Sequence, residues 1–177
     1  SGGVKSIDSI LSKIYRIKKN KNADAKITDV NDIVRGSIIV PHSKDLPDTI
    51  RKFKEKYPTA KIESKFDALG NNAGYAAVHF TIDMGEGIKG EIQIHTNHSR
   101  AITAITHKGF EEFREEDITK LPETDPARYS RYLKEMEIQQ RLWGDYLSSM
   151  PEETRREISE EVSGSAESVS SKSIGLA

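Results

Sequence analysis

Two short runs of alternating side chains most constrain what this chain can fold into. From Tyr75 to Asp83, Ala76, Val78, Phe80 and Ile82 fall on one side of an extended strand, and Tyr75, Ala77, His79 and Thr81 fall on the other. From Glu91 to His95 the same period of two sets Ile92 and Ile94 against Glu91, Gln93 and His95. The glycine-rich stretch Gly85 to Gly90 lies between them, so the runs predict an antiparallel hairpin with one apolar and one polar face. A solvated sheet face is ordinary in antiparallel proteins. This one carries Glu, Gln, two His and Tyr in place of the usual Lys, Thr and Ser, and that set favours a site.

The rest of the chain supplies partners for the apolar face. Ile7, Ile10, Leu11, Ile14 and Ile17 recur at helical spacing and predict an amphipathic helix over residues 4–18, with a Lys/Asn turn after it. Ile33 to Val40 is rich in β-branched residues and stops at Pro41, which predicts a buried strand. Leu46, Ile50, Phe53 and Tyr57 predict a helix ended by Pro58. Lys61 to Phe66 reads as an edge strand and Gly70 to Gly74 as a flexible loop. His98 to Arg114 and Ala127 to Ser148 turn helical, the second with Tyr129, Leu133, Met136, Trp143 and Leu147 along one stripe. Pro151 with Glu152 and Glu153 marks another helix start. These elements predict one α+β domain over residues 1–162, a mixed and largely antiparallel sheet flanked by helices. The segment 163–177, six of whose fifteen residues are serine, reads as a disordered tail.

Composition excludes several chemistries. Without cysteine there is no disulfide framework and no thiolate nucleophile, and the five histidines form no metal-binding repeat. No apolar run approaches a membrane span, and no basic-then-apolar leader opens the chain. The start at Ser1 without methionine reads as a cloning scar or as an excision from a longer polypeptide. The net charge of −1 hides an asymmetry: residues 1–66 hold 15 Lys/Arg against 8 Asp/Glu, and the rest hold 12 against 20. The basic half is suited to a polyanion.

Lys5, Ser9 and Lys13 are spaced by four, and Arg16 returns to the same side, a stripe suited to a polyphosphate if it is not simply a solvated helix face. Asp32 opens the apolar strand, an awkward place for a charge unless it meets a metal or a cation such as Arg35. Two carboxylates, Asp32 and Glu91, beside a polyphosphate stripe suggest Mg²⁺, which takes few carboxylates and completes its shell with phosphate oxygens and water.

The ordered set Val4-Lys5, Ser9-Ile10, Lys13, Asp32-Ile33 running into Ile38-Ile39-Val40, Gly74-Tyr75 with His79, and Glu91-Ile92-Gln93-Ile94 followed by Thr96 resembles the RelA/SpoT synthetase domain over residues 4–110. The resemblance implies a nucleotidyltransferase-like fold and ATP-dependent transfer of diphosphate to the 3′-hydroxyl of a purine nucleotide, giving a (p)ppGpp- or (p)ppApp-type alarmone. By the same resemblance Lys5, Ser9 and Lys13 hold the ATP phosphates, and Asp32 binds magnesium. Glu91 is a second metal ligand or the base for the attacking hydroxyl. Tyr75 stacks on the acceptor base, and His79 and Gln93 line its pocket.

The chain also departs from the family pattern. The arginines that usually flank the ATP adenine correspond to Gly3 and Ser37, which leaves Arg35, and then Arg16, as substitutes. The arginine usual after Glu-Ile-Gln-Ile is His95, placed here with the acceptor residues. These departures favour an unregulated growth-inhibiting toxin domain or a small alarmone synthetase. The alternatives are a toxin acting on the 3′ end of tRNA and a non-catalytic nucleotide-binding module. Expected partners are ATP, a purine nucleotide, an immunity or antitoxin protein and a second copy of the chain; the helix from Ala127 reads as packing across the sheet, with partner binding as the alternative. The expected place of work is a bacterial cytoplasm, reached by synthesis there or by delivery as part of a longer effector.

Overall fold

The computed structural model describes residues 3–20, 22–66, 75–114 and 116–170. Its strands are β1 (Gly3–Val4), β2 (Val34–Val40), β3 (Lys61–Ser64), β4 (Val78–Asp83) and β5 (Lys89–Thr96). Its helices are α1 (Ile7–Asn20), α2 (Leu46–Lys56), α3 (Asn97–Phe113), α4 (Leu121–Thr124), α5 (Pro126–Ser149) and α6 (Glu152–Ser170). The strands form one sheet in the order β1-β2-β5-β4-β3, in which β2 and β5 are parallel and the other three pairs antiparallel. The mixed, largely antiparallel α+β architecture expected from the sequence is the one observed.

The hairpin forms as its alternation dictates. Phe80 lies opposite Ile92 and Val78 opposite Ile94 on one face, with His79 opposite Gln93 and Thr81 opposite Glu91 on the other. Its turn runs through the left-handed region at three successive residues, Gly85, Glu86 and Gly87. A side chain is strained there, so glycine at the first and third positions lets the strands reverse in so few residues. β3 is the edge strand expected at Lys61, and Ile62 meets Phe80 across it.

One face of the sheet is closed by α2 and α6. Val78 and Phe80 of β4, Ile94 of β5 and Val40 of β2 pack with Leu46 and Ile50 of α2 and Ile158 of α6. Burial at such positions supplies about 1.5–3 kcal/mol per large side chain, the main driving force for the fold. α3 leaves directly from the end of β5, capped by a reciprocal pair in which Ser99 N–H donates to Thr96 Oγ1 and Thr96 N–H to Ser99 Oγ. It packs against α5, whose Trp143, Tyr146 and Leu147 are buried.

Several sequence expectations shift. The tyrosine-to-aspartate run enters the ladder only at Val78, although Lys65 N–H still donates to the carbonyl of Ala77. Asp32 lies in the turn before β2, which begins at Val34. α1 starts at Ile7, later than expected, because Lys5 is drawn into extended pairing through its N–H to the carbonyl of Ile33. The apolar stripe of α1 also divides: Ile10, Ile14 and Ile17 pack with Val30 and Ile33, while Ile7 and Leu11 are exposed. α6 continues past Val162 to Ser170, into the stretch read as tail, and residues 171–177 and the loop at Gly70 to Gly74 lie outside the described residues. No helix among the described residues is long and apolar enough to cross a membrane.

Candidate active site

The face of the sheet away from α2 and α6 forms the floor of a cavity of about 700 Å³, walled by α3 and α5. Because β2 and β5 are parallel and in register, Arg35 stands beside Glu91 and Ser37 beside Gln93. β4 adds Thr81 and His79 to the same rows. The period-two alternation of three strands thus converges on one patch.

At one end of the patch lies Asp32. Its carboxylate is 2% exposed and holds three cations: Lys13 at 2.5 Å, Lys5 at 3.3 Å, and Arg35, which donates through both Nε and a terminal nitrogen. Burial alone would raise its pKa, but the hydrogen bonds from Lys13 and Arg35 outweigh it and hold the carboxyl at about 2. Lys5 is pushed down, first by its own burial and then by repulsion from Arg35. Three positive charges against one negative leave a local excess of cation, which is what a polyphosphate site requires. Lys5 and Lys13 do come together, though from an extended segment and a helix and not from a single helical stripe. Ser9 is exposed, and of the four stripe residues only Lys13 lines the cavity, with Lys5 behind it on Asp32.

Glu91 occupies the middle. Gln93 Nε2 donates to its Oε1 at 2.8 Å, and His79 Nδ1 approaches its Oε2 at 3.3 Å. An ionised carboxylate only accepts, so neutral His79 carries its proton on Nδ1, and Nε2 is left to accept from the Tyr75 hydroxyl at 3.0 Å. Burial would raise the pKa of Glu91, but the contacts with His79, Gln93 and Arg35 bring it below the ordinary value. Burial pushes the Tyr75 phenol up, with repulsion from Glu91 as the second cause, so it remains a donor. The Tyr75 ring stands edge-on to Trp143, with centroids 5.2 Å apart.

His95 is the expected acceptor residue that the structure does not bring to the cavity. It is 1% exposed, beneath Tyr75 and against α3. There Nε2–H donates to Gln93 Oε1 and Nδ1 lies against the Ser99 hydroxyl, both at 3.2 Å. His95 therefore orients Gln93, which in turn orients Glu91. Burial lowers its pKa to about 4, so it is neutral when folded near neutral pH. The folded value lies below the unfolded one, near 6.5. Its contribution to stability is therefore fully present above pH 6.5 and is lost as pH falls towards 4. His95→Gln should remove on the order of 2–3 kcal/mol of that acid dependence. Denaturant midpoints at pH 7 and pH 4.5 would measure this, and an unchanged pH slope would contradict it.

The wall contributed by α3 was missed in the sequence. Arg100, Thr103, His107 and Phe110 line the cavity. Their spacing of three and four is that of one helix face, a signal present in the sequence but masked by the mixed character of the residues. Gly3 and Ser37, at the positions where the family resemblance places adenine-binding arginines, line the cavity beside Arg35.

The donor set suits a hard cation only in part. No cluster of three or more His, Cys, Asp or Glu able to hold a metal occurs among the described residues. Asp32 and Glu91 supply two carboxylates, which fits an ion that takes the rest of its shell from phosphate and water.

Comparison with known proteins agrees with this fold. The small alarmone synthetase 1 from Bacillus subtilis, in a structure bound to its product pppGpp, superposes with a TM-score of 0.54 at 20% identity, covering 82% of this chain and 74% of that one. A second structure of that synthetase gives a TM-score of 0.50 at 21% identity, covering 90% and 80%. A complex of the type VI effector Tas1 with its immunity protein is also similar, at a TM-score of 0.49, 20% identity and 78% coverage of both chains. No curated protein matches by sequence. Residues 2–111 match the family described as the region found in RelA / SpoT proteins, and the chain belongs to the RelA/SpoT family.

Proposed function

We propose that this chain is an ATP-dependent pyrophosphokinase that transfers the β,γ-diphosphate of ATP to the 3′-hydroxyl of a purine nucleotide. The observation that carries the reading is the junction, in one cavity, of a cation cluster around Asp32 with a carboxylate, Glu91, held on both oxygens by neighbours. In the reaction the acceptor 3′-oxygen bonds to the β-phosphorus of ATP, the bond from that phosphorus to the α,β-bridging oxygen breaks, and AMP leaves. Little covalent work falls to the protein, so positioning and charge dominate.

Lys5, Lys13 and Arg35 are suited to grip the triphosphate, with the exposed side of Arg35 beside Gly3 and Ser37 available to the adenine. Tyr75 offers a π-face to the acceptor base, which fits any purine. Glu91 has a lowered pKa and is therefore a weak base. Its role is to accept the hydrogen bond of the 3′-hydroxyl and so orient the oxygen, taking the proton only as the new bond forms. Asp32 and Glu91 would hold Mg²⁺, which supplies positive charge to the phosphates as AMP leaves. We extend the proposal to growth inhibition by an unregulated product, in line with the loss of the usual adenine arginines at Gly3 and Ser37.

The test is incubation with Mg²⁺ and γ-labelled ATP plus, in separate reactions, AMP, ADP, GDP, GTP or deacylated tRNA, followed by chromatography. Labelled product is expected with a purine nucleotide. Label on tRNA alone would replace the acceptor assignment, and no labelled product with any acceptor would overturn the activity.

A further inference from the structure

The hydrogen bonds that hold Glu91 continue behind it, away from the cavity. An ionised carboxylate only accepts, so Gln93 turns its Nε2 to Glu91 and its Oε1 to His95. His95 must then carry a proton on Nε2. Because burial keeps the ring neutral near pH 7, its Nδ1 holds a bare lone pair. The group facing that lone pair is the hydroxyl of Ser99, at 3.2 Å, and both residues are 1% exposed. Neither lines the cavity.

The Ser99 hydroxyl has one proton and two groups within reach of it, Nδ1 of His95 and the carbonyl of Thr96 at 3.3 Å. Thr96 is the N-cap of α3, and the carbonyl of an N-cap already accepts the first hydrogen bond of its helix. Nδ1 has no other partner among the described residues, and leaving it bare in the interior would carry the full cost of an unsatisfied acceptor. The proton therefore belongs to His95. The Ser99 oxygen is itself fixed, because it accepts from Thr96 N–H at 3.0 Å, while the Thr96 hydroxyl donates to Tyr146 of α5 at 3.3 Å.

We propose that Ser99 is a positioning residue for the reaction: its hydroxyl fixes the tautomer of His95, which fixes the amide of Gln93, which fixes the carboxylate of Glu91. The effect on rate rests on the pyrophosphokinase reading; the order of the hydrogen bonds does not. The chain of contacts also gives a reason for the histidine at a position where the family resemblance places an arginine. A guanidinium offers donors only, whereas a neutral imidazole accepts at one end and donates at the other, and so passes an orientation from α3 to the strand.

Two measurements test this on the full chain. Nitrogen-15 NMR of the histidine-labelled native protein at pH 7 should show His95 protonated on Nε2 alone, with Nδ1 shifted as a hydrogen-bond acceptor. A proton on Nδ1 would overturn the proposal whatever the activity, and needs no variant to fold. In single-turnover assays with labelled ATP and GDP or ADP, Ser99→Ala should lower the rate about 3- to 10-fold, the range for one lost internal hydrogen bond, with the KM for ATP unchanged. In a Gln93→Leu background, where no amide is left to orient, Ser99→Ala should lower the melting temperature as before and leave the rate where Gln93→Leu puts it. Losses of rate that add in the double variant would make Ser99 merely structural and overturn the proposal. If the native chain shows the expected tautomer and makes no product with either acceptor, the pyrophosphokinase reading falls and takes the positioning role with it.

Discussion

Glu91→Gln is expected to fold as the native chain does and to lower the rate of diphosphate transfer by about 10²- to 10³-fold, the usual effect of removing one group placed to act on transition-state charge. The substitution keeps the volume and one acceptor oxygen, so the hydrogen bond from Gln93 survives. The contact with His79 is met by an amide group in place of an oxygen, and His79 can answer by moving its proton to Nε2, which then donates to the Tyr75 hydroxyl in place of accepting from it. The cost in stability is then the weakening of a charge-assisted contact, about 1 kcal/mol. The rate effect is larger because the amide cannot take the proton of the 3′-hydroxyl and is a poor ligand for a hard cation. Single-turnover assays with labelled ATP and a saturating acceptor, alongside thermal melts, separate the two effects. A variant within threefold of native turnover would remove Glu91 from the chemistry, and one that fails to fold would make its role structural.

Glu91 was legible in the sequence because strand alternation is strict: once Ile92 and Ile94 face the core, Glu91 and Gln93 must share the other face with His79. The same rule misplaced His95. Alternation assigns it correctly to the polar face, but it does not say that α3, turning back at Thr96, buries that end of the face beneath Ser99 and Tyr75. Burial by a later element is a tertiary event that local pattern does not encode. The Lys5/Ser9/Lys13 stripe went astray for a related reason. Helical spacing was extended through Lys5, where the backbone N–H is instead taken by the carbonyl of Ile33, so Lys5 and Lys13 meet at Asp32 while Ser9 faces outward. Asp32 itself was read correctly as a charge needing a partner. Nothing in the sequence indicated that it would find three. Arg100 was invisible for the opposite reason, since an arginine on a predicted helix is ordinary until the fold brings that helix to the wall of a cavity.

Asp32→Ala is the second large effect, and it should separate binding from catalysis. Removing the carboxylate leaves Lys5, Lys13 and Arg35 facing one another with nothing between them. Breaking a buried charge network in this way costs about 3–5 kcal/mol. The cost here should be nearer 2 kcal/mol, because Lys13 and Arg35 are 29% and 48% exposed and water screens them. The titration of Asp32 gives a similar figure. Its pKa is lowered from 3.8 to about 2, so its stabilisation is present above pH 3.8 and lost as pH falls to 2, on the order of 2 kcal/mol. Added salt should recover part of the lost stability by screening the three cations. Millimolar tripolyphosphate should raise the melting temperature of the variant more than that of the native chain, because in the native chain the phosphate must first draw the cations from Asp32. Donor affinity is therefore expected to hold or improve while turnover falls by at least 10²-fold, since the freed carboxylate is what the metal would need. If Asp32→Ala were as stable as the native chain, the three cations would not depend on it. If donor affinity fell in step with turnover, Asp32 would be organising the phosphate site and not exchanging its cations with the substrate.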